Sequence, residues 1–476
     1  MGEMEILHVA AECFPIAKAG GLGDVVGSLP KYQNKLGAVA KVVIPMYRTP
    51  FLSQHEWQLV HEGGQFMGGQ FFHYSVIREQ TNKLGFDLFL LDINGLLDRE
   101  KVYGYEDDLE RFLAFQIAVC DWLAKWNRLP DIVHCHDHHC GLLPFFFSYA
   151  DVFQSRLKNI PTVFTVHNAQ YQGNFDWGKS LLLPSYDPWK WSMLDWHGQI
   201  NPLAAALKAA WRFTTVSYSY LEELRHSAAG LEKLFEYEKG KCAGILNGID
   251  VEVWSPASDP YLLFHYDLNT VEEGKRKNKE ELCRNFSLDP SLPLVCFVGR
   301  LVGEKAADLL AEALRQTITI NRGRVNIILL GSGEKNIESD LQQLQQLEGN
   351  HFKCVIGYQE ALSHALYAGS DFLLMPSRVE PCGLNQLYAM RFGTIPIVRR
   401  VGGLKDTVID MGDKDGYGIC FNEASIQDIV YSLGRAIDFF YENPMKLAEI
   451  RKYMMQFDFS WDSSASQYLA LYQSLK

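Results

Sequence analysis

The stretch DFLLMPSRVEPCGLNQLYAMR, residues 371–391, decides the fold class. It begins with a continuous apolar run, Asp371–Pro376, which is typical of a strand buried on both faces of a parallel sheet. A polar turn and a helical pattern up to about Arg391 follow. Pro381 suits the first turn of that helix, where no N–H is needed. The stretch therefore predicts a strand, a loop and a helix, with Glu380 at the start of the helix.

The same unit recurs along the chain. Apolar runs alternate with amphipathic segments such as Asp107–Trp126, Lys305–Ile320 and Ile426–Tyr441. This alternation predicts an α/β fold with doubly wound parallel sheets. The twelve predicted strands are Glu5–Ala11, Lys41–Met46, Phe86–Asp92, Asp131–Cys135, Pro161–His167, Phe213–Ser217, Pro293–Gly299, Val325–Gly331, Phe352–Gly357, Asp371–Pro376, Thr394–Val398 and Tyr417–Phe421.

The alternation weakens between about Trp254 and Pro290, where turn signals and a charged run indicate a connection between domains. We therefore expect two Rossmann-like domains that face a central cleft. The predicted domains are residues 1–255 and 256–458, followed by an amphipathic segment at residues 459–476.

Composition restricts the class of function. The 476 residues are 47% apolar and 21% charged, as in ordinary globular proteins. The net charge of −12 argues against a nucleic-acid partner, because an acidic surface repels phosphate backbones. Ten scattered cysteines without a CxxC pair are typical of reduced thiols in the cytoplasm. With no signal-peptide pattern and no apolar run of bilayer length, we expect a cytoplasmic protein without a membrane partner.

Cations beside two predicted strand ends indicate a phosphate-bearing ligand. Lys18 opens a glycine-rich turn that permits close approach of a ligand, and the helix after it favours anions. Arg300 and Lys305 follow the strand Pro293–Gly299, at the end where parallel sheets bind ligands. A surface salt bridge is the alternative for this second pair. The first turn misses the dinucleotide spacing GxGxxG by one residue, which argues against an NAD-dependent oxidoreductase.

Glu380 is the candidate carboxylate. We expect the N–H groups of Cys382, Gly383 and Leu384 to point toward a ligand from the start of the predicted helix. A carboxylate that only complements the helix dipole is the alternative role of Glu380.

The histidine-rich segment at residues 134–140, HCHDHHC, suggests a metal site by composition alone. Its spacing fits no usual structural zinc site, and neighbouring strand residues point to opposite faces of the sheet. We therefore expect no metal there, and side chains such as Asp137 that hydrogen-bond a ligand. His167 and Asn168 form a second polar pair at a strand end, for which a core histidine is the alternative.

Taken together, these motifs resemble those of the bacterial glycogen synthases and plant starch synthases, retaining glucosyltransferases of the GT-B fold. They occur in the family's order and cover nearly the whole chain. The matching segments are KAGGLGDV (Lys18–Val25), DIVHCHDHHCGL (Asp131–Leu142), FTVHNAQYQG (Phe164–Gly173), GILNGIDVEVWSPASDP (Gly244–Pro260), GRLVGEK (Gly299–Lys305), SRVEPCGLNQLYAMRFGTIPIVRRVGGLKDTV (Ser377–Val408) and FSWDSSASQYLALY (Phe459–Tyr472).

The resemblance implies transfer of α-glucose, with retention, to the non-reducing 4-hydroxyl of an α-1,4-glucan. The implied donor is ADP-glucose, with UDP-glucose as the other candidate. It also implies a final helix that crosses back onto the first domain. No cofactor or metal is expected, since cations of the chain would neutralise the diphosphate. A catalytically weak homologue that senses nucleotide sugar or glucan is the alternative function.

The resemblance also assigns roles to single residues. Glu380 is the essential carboxylate, and Tyr358 stacks on the base. The implied catalytic residues are Glu380, His167, Arg300, Lys305 and Asp24; the implied donor-binding residues are Lys18, Gly20, Gly21, Asn247, Arg300, Lys305, Tyr358, Cys382, Gly383 and Leu384; the implied acceptor-side residues are Asp137 and Asn168.

One departure concerns the cations. After GR-L the family usually has QKG, and this chain has Glu304, Lys305 and Ala306. Glu304 places an anion beside the cationic pair, so we expect it to weaken phosphate affinity.

Overall fold

All twelve predicted strands are present in the computed structural model, which describes residues 3–476. The chain forms two units, the first comprising the described residues up to Gly248 together with Trp461–Lys476, and the second Ile249–Ser460. The boundary thus precedes the expected one at residues 255 and 256. The reason is that Ile249 packs in the core of the second unit, where its N–H donates to the Phe459 carbonyl at 2.8 Å.

The first unit is built on a large sheet. Its strands are β1 (Glu5–Val9), β2 (Val39–Pro45), β3 (Trp57–Met67), β4 (Gln70–Glu79), β5 (Asp87–Asp92), β6 (Ile132–His136), β7 (Thr162–Val166), β8 (Asp195–Trp196), β9 (Gln199–Ile200), β10 (Arg212–Thr215) and β11 (Cys242–Gly244). Nine of these strands pair in the order β11-β10-β7-β6-β1-β2-β5-β4-β3, while β8 and β9 pair separately. The pairs β3–β4 and β4–β5 are antiparallel, and the other pairs of the large sheet are parallel.

Helices connect the parallel strands of the first unit, as parallel pairing requires. They are α1 (Gly21–Lys35), α2 (Pro50–Gln54), α3 (Asp108–Ala124), α4 (Leu143–Tyr149), α5 (Gln154–Leu157), α6 (Pro202–Ala209), α7 (Tyr218–Leu224) and α8 (Glu232–Tyr237). The strand order reverses between β1 and β6. In open α/β sheets, ligands bind at the carboxyl ends of the strands beside such a switch point.

The second unit has a six-stranded parallel sheet. Its elements are β12 (Leu294–Leu301), β13 (Asn326–Gly333), β14 (Phe352–Ile356), β15 (Phe372–Met375), β16 (Ile395–Arg399) and β17 (Ile419–Phe421), with α9 (Val271–Phe286), α10 (Leu310–Ile320), α11 (Lys335–Glu348), α12 (Glu360–Gly369), α13 (Asn385–Arg391), α14 (Gly402–Thr407), α15 (Ile426–Glu442) and α16 (Pro444–Met454). The order β14-β13-β12-β15-β16-β17 is the Rossmann order, and its switch point lies between β12 and β15.

The chain ends with α17 (Trp461–Gln473), which packs on α1 in the first unit. Its buried face, including Trp461 and Tyr472, shares a hydrophobic cluster with Ile6 and Leu29. Among residues 3–476, no helix combines the length and the apolar character needed to cross a membrane.

Candidate active site

The candidate residues divide between the two units and are described unit by unit. Most of them follow the carboxyl ends of strands in the two sheets. The first unit contributes Lys18, Gly20, Gly21, Asp24, Asp137, His167, Asn168 and Asn247; the second contributes Arg300, Lys305, Tyr358, Glu380, Cys382, Gly383 and Leu384.

Glu380 forms the most enclosed ion pair among the candidates. Its Oε2 lies 2.6 Å from Nζ of Lys305 and accepts a hydrogen bond from the Ser377 hydroxyl at 2.8 Å. The Glu380 side chain is only 8% exposed, and Lys305 is 21% exposed. A carboxylate this buried needs such partners, because an unpaired charge away from water is costly. The pairing brings together two candidates that are 75 positions apart in the sequence.

The loops that carry Lys305 and Glu380 are bound to each other. The backbone N–H groups of Arg378 and Val379 donate to the Glu304 carbonyl at 2.7 and 3.2 Å. The Arg378 guanidinium donates to both oxygens of Asp308, at 2.5 and 2.8 Å. Such bidentate pairs fix direction as well as distance. These contacts therefore join the loops after β12 and β15, which carry Lys305 and Glu380.

The helix after Glu380 begins later than predicted. It starts at Asn385, and Gly383 has a φ of +72°, which a right-handed helix does not allow. Glu380 is therefore not at the helix start, and Leu384 is the N-cap residue of this seven-residue helix. The irregular segment packs closely on the glycines at the start of α14: a Cβ on Gly402 would come within 2.0 Å of the Glu380 carbonyl oxygen. That close approach explains the pair of glycines.

Arg300 pairs with Glu304, the anionic residue that departs from the family pattern. Its Nη2 lies 3.2 Å from Oε2 of Glu304, and the Arg300 side chain is 48% exposed. Ala306, where the family usually has glycine, adopts a left-handed φ of +52°. Glycine has no steric cost in that conformation, so the usual residue is explained by the backbone.

Tyr358 follows β14 and is 70% exposed. Its hydroxyl donates to the carboxylate of Glu360, two residues on. An exposed ring held at one end offers a flat face to a planar ligand, which suits the base-stacking role that the resemblance implies.

In the first unit, Lys18 and Asp24 form an ion pair at 2.8 Å at the start of α1. The glycine-rich turn is held by a residue that the sequence did not single out. The buried Glu12 carboxylate accepts hydrogen bonds from the N–H groups of Ala19 and Gly20, at 2.6 and 2.9 Å, and from the Tyr103 hydroxyl at 2.6 Å. The Gly20 N–H thus already has a partner, in contrast to the expected approach of a ligand. Glu12 could have been suspected as a carboxylate just beyond the first strand.

An open pocket of about 770 Å³ lies beside this turn in the first unit. Its lining includes Lys18, Phe51 and Tyr103. The pocket combines a cation with aromatic surface, a combination that suits sugar hydroxyls and ring faces.

Asp137 supports the turn that carries His167. Its carboxylate accepts the His167 N–H at 2.7 Å. Burial raises the pKa of Asp137 to about 7, and hydrogen bonds from the N–H groups of His167 and Asn168 work against that rise. Asp137 therefore positions the backbone of His167, and the acceptor-side role that the resemblance implies for it stays a prediction.

His167 is a nearly buried, neutral imidazole. Burial lowers its pKa to about 3. Its Nε2 lies 3.0 Å from Nδ1 of His136, so one ring nitrogen is used inside the protein.

The two candidate asparagines differ. The amide oxygen of Asn168 accepts the Gln170 N–H at 3.0 Å and so stabilises the turn after β7. The amide oxygen of Asn247 is buried without a hydrogen-bond partner in residues 3–476. A buried oxygen of this kind is costly unless something else pairs with it, which fits the ligand contact implied for Asn247.

Three buried histidines lie close enough to hold a metal ion. The ligand atoms of His8, His134 and His136 are within 4.8 Å of one another. All six ring nitrogens, however, have hydrogen-bond partners: His8 binds Gln33 and His136, His134 binds Tyr472 and Thr165, and His136 binds His8 and His167. These hydrogen bonds account for the cluster, and the absence of a metal stays a prediction.

Comparison with known proteins identifies the relatives of the chain. Residues 5–237 match the model of the starch synthase catalytic domain, and residues 278–456 match that of the glycosyl transferases group 1. The glycogen synthase of Flavobacterium johnsoniae is 50% identical over 98% of both chains. That of Anoxybacillus flavithermus is 37% identical over 99% of this chain and 98% of the relative.

Solved structures agree. The catalytic domain of starch synthase IV from Arabidopsis thaliana, bound to ADP and acarbose, superposes with a TM-score of 0.90 at 30% identity, covering 100% of this chain and 99% of that one. Sucrose-phosphate synthase from Thermosynechococcus elongatus, at 17% identity and 99% coverage of both chains, gives a TM-score of 0.63. The second likeness concerns the fold alone. The predicted GT-B fold is confirmed.

Proposed function

The chain belongs to the glycogen synthase family of glycosyltransferases, and we propose that it transfers α-glucose with retention from ADP-glucose to the non-reducing 4-hydroxyl of an α-1,4-glucan. The observation that carries the proposal is the buried Glu380 carboxylate, paired with Lys305 beside the switch point of the second sheet.

Glucosyl transfer makes two electrostatic demands. The anomeric carbon gains positive charge in the transition state, so a nearby carboxylate stabilises it. The leaving diphosphate gains negative charge, which preorganised cations stabilise. Glu380 meets the first demand. Arg300, at the end of β12, and Lys305, in the turn after it, meet the second. Because these cations belong to the chain, the proposed reaction needs no metal or other cofactor.

The other candidates have supporting roles in this proposal. His167 forms a hydrogen bond with the glucose. Lys18 contacts the donor, and Asp24 lies on the side of the sugar and the acceptor. The buried amide oxygen of Asn247 accepts a hydrogen bond from the donor. Tyr358 stacks on the base, for which its exposed ring is suited.

ADP-glucose is proposed as the donor because the related Arabidopsis starch synthase was solved with ADP. A direct comparison tests the choice: initial rates with ADP-glucose and UDP-glucose on a glycogen acceptor. We expect a higher kcat/KM with ADP-glucose. Equal or higher kcat/KM with UDP-glucose contradicts the donor assignment while leaving the transfer itself in place.

The transfer is tested with Glu380→Ala. We expect glucose incorporation from ADP-glucose to be lost, while circular dichroism shows an intact fold. Glu423→Ala, an exposed glutamate in the same unit, is the matched control and should keep wild-type turnover. Near-normal turnover of Glu380→Ala overturns the mechanism. Donor binding without turnover in the wild type would favour the sensor, an alternative that relatives named glycogen synthases do not support.

A further inference from the structure

A continuous chain of side-chain hydrogen bonds crosses the core of the first unit, from α17 to His167. It runs from Tyr472 to Gln33 (3.2 Å), from Gln33 to His8 (2.8 Å), from His8 to His136 (3.0 Å) and from His136 to His167 (3.0 Å). The first four residues are fully buried, and His167 is 9% exposed. Water therefore does not compete for the internal contacts.

The Gln33 amide gives this chain a direction. An amide nitrogen only donates and an amide oxygen only accepts. Gln33 Nε2 donates to the Tyr472 hydroxyl, which leaves Gln33 Oε1 facing Nε2 of His8. His8 must then carry its proton on Nε2. Burial lowers the pKa of His8 to about 4, so at pH 7 the ring has this one proton and its Nδ1 is an acceptor.

The hydrogen bonds of the next two imidazole rings run in the same donor-to-acceptor direction. Nδ1 of His8 accepts a hydrogen bond from the Nε2–H of His136. Burial also lowers the pKa of His136 well below its ordinary value, so its Nδ1 is an acceptor and takes a hydrogen bond from the Nε2–H of His167. The neutral His167 ring is left with a lone pair on Nδ1. Within residues 3–476, no side chain or backbone group donates a hydrogen bond to that atom.

We propose that Gln33 is a positioning residue whose amide fixes the tautomer of His167, so that its Nδ1 accepts a hydrogen bond from a hydroxyl of the bound glucose. The tautomer follows from the internal hydrogen bonds alone. The hydroxyl contact rests on the proposed function. In this way a buried amide on α1 determines which hydrogen-bonding character a candidate site residue presents.

A second branch supplies a control. The Tyr472 hydroxyl lies 2.7 Å from Nδ1 of His134, whose Nε2 lies 2.6 Å from the Thr165 hydroxyl, and Thr165 contacts Thr214 at 2.6 Å. Hydroxyl groups both donate and accept, so this end adapts to either direction. Thr214→Val therefore perturbs the same buried network without removing what directs the His167 branch.

The test reads the tautomer directly, without donor or acceptor. The full-length protein is labelled with ¹⁵N-histidine, and long-range ¹H–¹⁵N spectra distinguish Nε2–H from Nδ1–H rings; His167→Gln assigns the signals. We expect the Nε2–H pattern for His167 in the wild type and in Thr214→Val. In Gln33→Met the direction is no longer imposed, and the two ¹⁵N shifts of His167 should move toward each other.

Kinetics provide the second measurement. If the two tautomers become equally populated, the competent fraction is halved and the KM for ADP-glucose rises about twofold, with kcat nearly unchanged. An Nδ1–H pattern for His167 in the wild type, or an unchanged pattern in Gln33→Met, overturns the proposal. Absence of glucosyl transfer with the expected spectra would overturn the proposed function and leave the tautomer assignment supported.

Discussion

The two units hold their candidate residues by different kinds of interaction. Around His167, the first unit uses neutral groups in a buried network of hydrogen bonds. The second unit uses charged groups: Lys305 pairs with Glu380, and Arg300 pairs with Glu304. Lys18 and Asp24 are the ion pair among the first-unit candidates, and they lie at its surface, 28% and 22% exposed.

The difference teaches what each unit contributes. A buried neutral network keeps its geometry without a ligand, because its donors and acceptors satisfy one another. An ion pair beside the proposed phosphate site keeps a cation in place, and a bound diphosphate would then compete with the carboxylate for that cation. We therefore expect first-unit changes to alter geometry and stability, and second-unit changes to alter turnover and donor affinity.

The largest expected effect concerns Lys305. In Lys305→Met the diphosphate loses a cation and the buried Glu380 carboxylate loses its ionic partner. Removing one preorganised group that stabilises transition-state charge typically lowers kcat by about 100-fold or more. Steady-state kinetics with ADP-glucose and glycogen measure the loss. Lys335→Met, a 90% exposed lysine of the same unit, should keep wild-type kcat. A kcat within threefold of wild type for Lys305→Met would remove Lys305 from the machinery.

The second prediction is that acid lowers the stability of the first unit more than that of the second. Burial lowers the pKa of His61 and, more strongly, those of six other histidines of the first unit: His8, His134, His136, His138, His139 and His167. Between about pH 6.5 and 4 they bind protons only when unfolded, so the free energy of unfolding falls as the pH falls. Asp137, with its pKa raised to about 7, opposes one of them. Each histidine contributes up to about 1.4 kcal/mol per pH unit, and we expect a net loss of at least about 2 kcal/mol from pH 6 to 5.

The second unit should resist this acidification. Burial lowers the pKa of His364, but hydrogen bonds to Asp259 and Glu360 outweigh this and raise the pKa overall, so its contribution is retained as the pH falls. Hydrogen exchange of the full-length protein, corrected for the intrinsic effect of pH, measures both units at once. Protection should fall in β1, β6 and β7 and persist in β12 and β15. Equal losses in the two sheets would contradict the comparison.

The fold was predictable because its strands are continuous apolar runs. The run at residues 371–376 contains β15, and eleven others likewise contain or overlap strands. The β3–β4 hairpin was missed because it lies at the sheet edge and lacks such a run: Leu59 and Phe66 are 52% and 60% exposed. Its turn, Gly68 and Gly69, was the available signal.

The site was predictable where chemistry follows a strand end, and not where it depends on distant contacts. Arg300 lies at the carboxyl end of β12, and Lys305 and Glu380 follow the strands beside the switch point, so their type and place were enough. Gln33 and Tyr472 are 439 positions apart, and nothing in their spacing indicates that they meet. The helix start after Glu380 was placed too early because proline favours a first turn, whereas the left-handed Gly383 prevents one.

The smallest expected effect tests whether the anion beside Arg300 competes with the donor. Glu304→Gln keeps the size of the side chain and leaves intact the carbonyl that binds the N–H groups of Arg378 and Val379. It removes the charge 3.2 Å from Arg300. Half-exposed ion pairs contribute about 0.2–1 kcal/mol, so the KM for ADP-glucose should fall by up to about fivefold at unchanged kcat. Glu312→Gln, which breaks an ion pair with Arg315 on α10, should leave KM unchanged. A KM that does not fall, or that rises, in Glu304→Gln would mean that Glu304 orients Arg300 for the diphosphate, and the contrast between a preset first unit and a competing second unit would then fail at this position.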